Sequence, residues 1–254
     1  MNGEIGQLSR LTFREKVNVC WQKKLRDTYI GEGVPDVELS LGKSVVRRVS
    51  RRFAKQIILK YEWLGTMAAT GYHYGIFFEN YCAGVCCYAA GGGTGGVNSH
   101  KPFGVERRQL GVLARGANVH WSPSGANSRL VSVSCRLFSK DTQAKIVIAY
   151  SDTDGGEIGT IYQACNWAYI GAGASTTQYV SPEGRIMDQK LPSDLRRRHG
   201  GTRQHWRKKL LEDGWREQKS NPKHRYVKVL DKKERGLIKR VEAMRQMYPK
   251  RADD

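Results

Sequence analysis

Several common features are missing from this chain. It has no C-x-x-C pair. Its six cysteines stand at positions 20, 82, 86, 87, 135 and 165, and the adjacent Cys86 and Cys87 face opposite ways if they share a strand. A structural zinc site and a disulfide framework are therefore not expected, and the thiols are read as reduced small hydrophobes of a cytosolic protein. No apolar run reaches the ~18 residues that a membrane span needs. The first residues, MNGEIGQLSR, offer no basic segment followed by an apolar one, so no secretory signal is expected.

Acidic residues are also scarce. Against 43 Lys and Arg stand 24 Asp and Glu, a formal net charge of +19 over 254 residues. The excess is uneven. Residues 1–60 hold 13 basic and 6 acidic side chains, residues 61–184 hold 8 of each, and residues 185–254 hold 22 and 10. A neutral centre between two basic flanks favours a polyanionic partner, either nucleic acid or a phosphate-rich cofactor. An anionic membrane surface is the weaker alternative, because the basic segments lack a long apolar face. The length suits one well-cored domain with extensions. We divide the chain into a basic N-terminal extension (1–43), a core (44–184) and a basic C-terminal region (185–254) that completes the core and binds nucleic acid.

Periodicity supplies the elements. Residues 8–29 could form one helix, and Ser44–Leu64 a stronger one, with Val45, Val49, Phe53, Ile57 and Ile58 at three- and four-residue steps. Gly71–Phe78 and Tyr81–Ala90 suggest a hairpin about Glu79-Asn80, followed by a Gly-rich loop over 89–96. No Lys-Ser/Thr follows that loop, so it is not a P-loop. Arg108–Leu113 could be a strand, and Asn127 or Ser128 could cap a helix running to about Phe138. Lys145–Tyr150 is an apolar, β-branched run broken by an acidic turn containing Asp152, Asp154, Gly155 and Gly156. A short helix bearing Ile158, Ile161, Tyr162 and Cys165 then leads to a second apolar strand. Carboxylates at the carboxyl end of a strand sit where open α/β sheets place their ligand crevice. In the C-terminal region Trp206, Trp215 and Tyr226 are interleaved with charge, a mixture that grips phosphates and stacks on bases.

The order helix, hairpin, strand, loop-capped helix, strand, helix, strand resembles the GNAT acetyltransferase architecture, an α/β (α+β) fold with a mixed central sheet flanked by helices. Three motifs narrow the resemblance: Lys60-Tyr61-Glu62-Trp63-Leu64-Gly65-Thr66-Met67, Tyr150-Ser151-Asp152 leading into Gly159–Gly171, and Pro222-Lys223-His224-Arg225-Tyr226 before Tyr248-Pro249-Lys250-Arg251. Together they are similar to the phage Mom family, over roughly residues 44–251. That resemblance implies a phage-encoded enzyme of the host cytoplasm that puts a carbamoylmethyl (acetamido-type) group on adenine N6 of DNA and so evades restriction. The DNA would be single-stranded, or double-stranded with the adenine flipped. The resemblance makes Asp152 a candidate acid or base and Tyr162 a candidate proton donor. Glu62 stands where relatives often show His, and becomes a second carboxylate. Trp63, Trp167 and Asn166 are candidates to hold the base, although Trp167 is more readily a core residue. Gly125, Asn127 and Ser128 are candidates for the phosphates of an acyl-CoA-like donor, whose identity stays open. Arg196, Arg197, Arg198, Lys208, Lys209 and Arg225 are candidates for the nucleic-acid backbone. His73, His120, Asp152 and Glu62 could converge on a metal, though no spacing among them announces a site. Two alternatives stay open: a GNAT-type acyl- or aminoacyl-transferase acting on RNA or another acceptor, and a non-catalytic nucleic-acid-binding protein with a degenerate core.

Overall fold

The computed structural model describes residues 21–91, 99–184 and 186–250. Its centre is a seven-stranded sheet begun by the hairpin. Strands β2 (Tyr72–Phe78) and β3 (Tyr81–Ala90) pair antiparallel around Glu79, which takes a left-handed φ of 49°. Strand β1 (Val45–Arg48) pairs with β2 at the sheet edge. The single helix expected over Ser44–Leu64 is thus a strand followed by α2 (Arg51–Tyr61); α1 is Trp21–Thr28. The break falls at Ser50, whose hydroxyl accepts from the Phe53 N–H at 3.2 Å and caps α2. The β-branched Val45 and Val46 before it prefer the extended form. Of the helix expected over 8–29 only α1 falls within the described residues; its earlier part, Cys20 and positions 92–96 of the Gly-rich loop lie outside them.

Strand β4 (Leu110–Asn118) starts later and runs further than expected. A one-turn 3-10 helix, Arg107–Gln109, precedes it, closed by Glu106 and Gln109 capping each other. Helix α3 (Ala126–Asp141) then crosses to β5 (Ile146–Ser151), which runs parallel to β4. Neither Asn127 nor Ser128 caps α3. Its N-cap is Gly125, left-handed at φ 80°, with no side-chain bond. Past β5 come α4 (Thr160–Ala164) and β6 (Ala168–Ala172), and β10 (His224–Val229) inserts between β5 and β6. The order is β1-β2-β3-β4-β5-β10-β6. This is the mixed sheet flanked by helices that the resemblance implies. Tyr72 packs on Phe138 of α3, whereas Phe77, on the opposite face of β2, packs on Phe53 of α2. The two helices therefore cover opposite faces of the sheet.

One relationship positions the site. Strands β4 and β5 pair only from Leu110 opposite Ile146 to Leu113 opposite Ala149. After a bulge opposite Cys87 and Tyr88, β4 follows β3 to Asn118 while β5 ends at Ser151. The one parallel pair among the described strands therefore opens at its carboxyl end.

The remaining elements form an arm. Strands β7 (Thr177–Val180), β8 (Ile186–Asp188) and β9 (Arg216–Lys219) make a second sheet, ordered β8-β7-β9. It draws on both sides of residue 184. Helices α5 (Leu191–His199) and α6 (Arg203–Glu212) lie between β8 and β9, and α7 (Arg235–Ala243) packs on the main sheet.

Candidate active site

The carboxyl end of β5 delivers Asp152 to the β4–β5 opening. Asp152 is 7% exposed, and its Oδ1 accepts from the Asp154 N–H at 3.2 Å, capping the turn Thr153–Gly155. The Glu157 N–H bonds back to the Asp152 carbonyl at 3.2 Å and folds Glu157 beside it. Lys223, just ahead of β10, pairs with the other carboxylate oxygen of Asp152.

Glu62 arrives as the C-cap of α2, the helix on the face of the sheet opposite α3. Its Oε2 accepts from the Gly65 N–H at 3.1 Å, and its Oε1 lies 4.0 Å from Arg115 Nε. Arg115 is itself fixed by bonds to the carbonyls of Thr66 and Ala114, each at 2.8 Å. Burial dominates the chemistry of Glu62. Its carboxyl is pushed up to about 7 by desolvation and by the charge of Asp152, against the pull of Arg115 and two backbone N–H groups. Glu157 is also pushed up to about 7, by desolvation and then by the charges of Glu62 and Asp152, with Lys223 opposing. Two carboxyls of this kind can accept a proton near neutrality.

Tyr162, on α4, lies near Glu157. Burial and the nearby Glu157 hold its phenol well above the ordinary value, so it stays protonated. Its ring packs 5.1 Å from Trp167 and 5.2 Å from Tyr226. The helix can start there because Gly159, at φ 77°, lies flat on Tyr226; a Cβ would come within 2.3 Å of that ring. At the end of β5 the Ser151 hydroxyl is buried with no hydrogen-bond partner among the described residues.

The structure thus gathers Asp152, Glu62 and Tyr162, and adds Glu157, Lys223 and Arg115, which sequence reasoning did not single out. Glu157 sits in the acidic turn, but nothing in the sequence says that its side chain folds inward. Lys223 lies inside the third of the motifs that carry the resemblance. The aromatic candidates stand differently. Trp167 is 1% exposed and belongs to the core. Trp63 is also buried, pressed on Gly155, where a Cβ would lie 2.9 Å from the indole. Asn166 is exposed in the turn closing α4, at φ 53°, with its carbonyl bonded by Lys228 at 3.3 Å. Neither indole presents an open face for a base, whereas the Asn166 side chain is exposed.

His73 and His120 do not join the carboxylates. His73 meets the Thr70 hydroxyl at 3.0 Å, and His120 meets the Glu32 carbonyl at 2.8 Å between the rings of Tyr29 and Tyr61. Among the described residues no three His, Cys, Asp or Glu side chains are grouped so as to hold a metal ion. Gly125, Asn127 and Ser128 do stand together, at an α3 N-terminus with no side-chain cap, and the buried Arg129 Nε in that first turn has no hydrogen-bond partner among the described residues. Such a start suits an anion.

On the arm, Arg196, Arg197 and Arg198 are exposed at the end of α5, and Lys208 and Lys209 are exposed on α6. Arg197 pairs with Asp194, Lys208 with Glu212 at 3.6 Å, and Lys209 with Asp213 at 3.4 Å. Arg225 is instead spent on the carbonyls of Ile170 and Gly171, at 3.0 and 3.3 Å, bracing β6. No described helix is long and apolar enough to cross a membrane.

Residues 43–250 match the model of the Mom protein family. No curated protein sequence matches the chain. Among solved structures it is similar to an IAA acetyltransferase from Bacillus cereus ATCC 14579, at 12% identity, with 73% of this chain and 99% of that chain covered and a TM-score of 0.43. It is also similar to FeeM, an N-acyl amino acid synthase from uncultured soil microbes (13% identity, 74% and 91% covered, TM-score 0.41). A third is the ribosomal-protein-S5-alanine acetyltransferase of Vibrio fischeri (10% identity, 78% and 98% covered, TM-score 0.41).

Proposed function

The chain belongs to the Mom protein family, and from that premise we propose that it is a transferase that modifies the N6 amine of adenine in DNA, with a carbamoylmethyl-type group, as a phage defence against restriction in the host cytoplasm. The observation that carries this reading is the pairing of proton-accepting carboxyls, Glu62 and Glu157, with Asp152 and Tyr162 at the β4–β5 opening, beside an arm of exposed arginines.

The chemistry asks for such a site. The N6 lone pair is delocalised into the ring, so the amine attacks only as it loses a proton. In duplex DNA the base must also leave the stack, at roughly a few kcal/mol. Glu157 lies against Asp152 and opposite Tyr162, and is suited to take the N6 proton. Lys223 holds Asp152 in place with its carboxylate at the mouth of the opening. The Tyr162 phenol, kept protonated, can give its proton to a leaving group. Gly125, Asn127 and Ser128 would hold the phosphates of the donor; an acyl thioester would leave N6 acylated, so a carbamoylmethyl product requires a donor whose leaving group departs from the methylene carbon that N6 attacks. The arm would grip the phosphate backbone through Arg196, Arg197 and Arg198.

Nucleoside mass spectrometry on plasmid DNA from cells expressing the protein, beside an Asp152→Asn control, tests this. A heavier deoxyadenosine lost in the control is expected, and its mass identifies the group. Unmodified DNA from folded protein would sink the DNA reading, and a modified nucleoside in small RNA would move the acceptor to RNA.

A further inference from the structure

Asp154 has no part in the proton chemistry above, yet its carboxylate takes three side-on bonds from the arm and its link to β10. Oδ1 accepts from the Asn221 N–H at 3.3 Å and from Asn221 Nδ2 at 2.7 Å, and Oδ2 accepts from Gln178 Nε2 at 3.1 Å. Gln178 lies on β7, and its own Oε1 accepts from Gln218 Nε2 of β9 at 3.3 Å. The neighbouring residues continue the pattern. Thr153 Oγ1 donates to the Pro222 carbonyl at 3.1 Å, and Asp152 pairs with Lys223. Three consecutive residues of the catalytic turn, 154, 153 and 152, thus meet three consecutive residues of the β9–β10 link, 221, 222 and 223.

The same chain of bonds reaches the basic helices. Arg207 of α6 holds Glu217 of β9 with two bonds, at 2.6 and 2.7 Å, and β9 pairs with β7 at Glu217 opposite Tyr179. A continuous set of polar contacts therefore runs from α6 through the small sheet to the Asp152 carboxylate.

We propose that Asp154 is a positioning residue. It fixes the basic arm relative to Asp152, so that a nucleic-acid strand gripped by the arm delivers its base to the β4–β5 opening. This rests on the reading of the protein as a nucleic-acid-modifying transferase. A cut strut leaves the arm able to bind the backbone but lets the acceptor sit out of register with the carboxylates. Misplacement by about 1 Å costs on the order of a hundredfold in rate.

The test compares wild type, Asp154→Ala, Asp154→Asn and the double variant Gln178→Ala/Asn221→Ala, which leaves the turn's own sequence intact. The readouts are single-turnover modification of an adenine-containing oligonucleotide in extract supplying the donor, affinity by fluorescence anisotropy at several salt concentrations, and Tm. Affinity and salt slope should stay within about twofold, while the turnover rate falls by about a hundredfold in Asp154→Ala and in the double variant. Asp154→Asn keeps one carbonyl oxygen for Asn221 and should recover part of the rate. Wild-type turnover in the two loss variants would overturn the proposal, as would an affinity that falls in step with rate, or a collapse of Tm in both. If wild type itself modifies no nucleic acid, the parent reading fails and this one falls with it; active wild type with equally active variants removes the strut alone.

Discussion

Glu62 lies 4.0 Å from the guanidinium of Arg115, and its carboxyl is nevertheless pushed up to about 7. Desolvation outweighs the ion pair because Glu62 is 7% exposed and shares its surroundings with Asp152. Glu157 titrates in the same range and feels the charge of Glu62. The rate should therefore rise with pH through about 7, as the proton acceptor deprotonates. Glu157→Gln should lower the rate by about a hundredfold or more. Glu62→Gln removes a neighbouring negative charge, so the rise should move to lower pH. A pH–rate profile unmoved by Glu62→Gln would disconnect the two carboxyls.

The same raised carboxyl has a consequence for stability. The folded protein holds the Glu62 proton more tightly than the unfolded chain, whose value is near 4.5. This contribution is full below about 4.5 and is lost as the pH climbs through about 7. Glu62→Gln should thus gain on wild type between pH 5 and pH 8, by roughly 2–3 kcal/mol. Denaturant melts at the two pH values measure it, and a difference of the opposite sign would place Glu62 in a less buried setting.

Tyr162→Phe removes one oxygen and keeps the stacking on Trp167 and Tyr226. Tm should hardly change, while the rate falls by about a hundredfold, as expected for loss of a general acid. A fully active Phe variant would take Tyr162 out of the chemistry.

The hairpin and the strand ending at Asp152 were legible because alternation and β-branched runs with Gly, Asp and Asn breaks are local signals. Over Ser44–Leu64 helical spacing coexists with a strand, Val45–Arg48, and a separate helix, Arg51–Tyr61. Val45 and Val49 fall at helical spacing by coincidence, while the decision was made by the Ser50 cap and by pairing with β2, a partner distant in sequence. At the site, Asp152 and Tyr162 came from motif resemblance, but the inward turn of Glu157 depends on one backbone bond to the Asp152 carbonyl. Trp63 had the composition of a stacking wall, and only the close approach of Gly155 shows it to be packed. Arg225 lies in the third motif, and the sequence does not reveal that it donates to two carbonyls of β6.

Gly159→Ala tests the packing beneath Tyr162. The residue sits at φ 77° with the Tyr226 ring where a Cβ would lie. The left-handed backbone and the clash both oppose alanine, for a loss of about 2 kcal/mol or more. Activity should fall at temperatures where the protein is still folded, because α4 must shift and carries Tyr162 with it. An unaltered melting curve would mean that the ring has room to move.

The arginines of the arm are not equivalent, and salt dependence can rank them. Arg197 is paired with Asp194, Lys208 with Glu212 and Lys209 with Asp213, each within one helical turn. Among the described residues Arg196 and Arg198 have no acidic partner. A lysine already neutralised by its neighbour releases fewer counterions from DNA than an unpaired arginine. Each phosphate that the protein no longer neutralises reduces the slope of log affinity against log salt by about 0.9 for duplex DNA. Arg196→Ala/Arg198→Ala should therefore flatten the slope by about 2, and Lys208→Ala/Lys209→Ala by about 1 or less. Equal effects of the two pairs would mean that DNA displaces the intrahelical partners. An unchanged slope in both would move the nucleic-acid surface off α5 and α6.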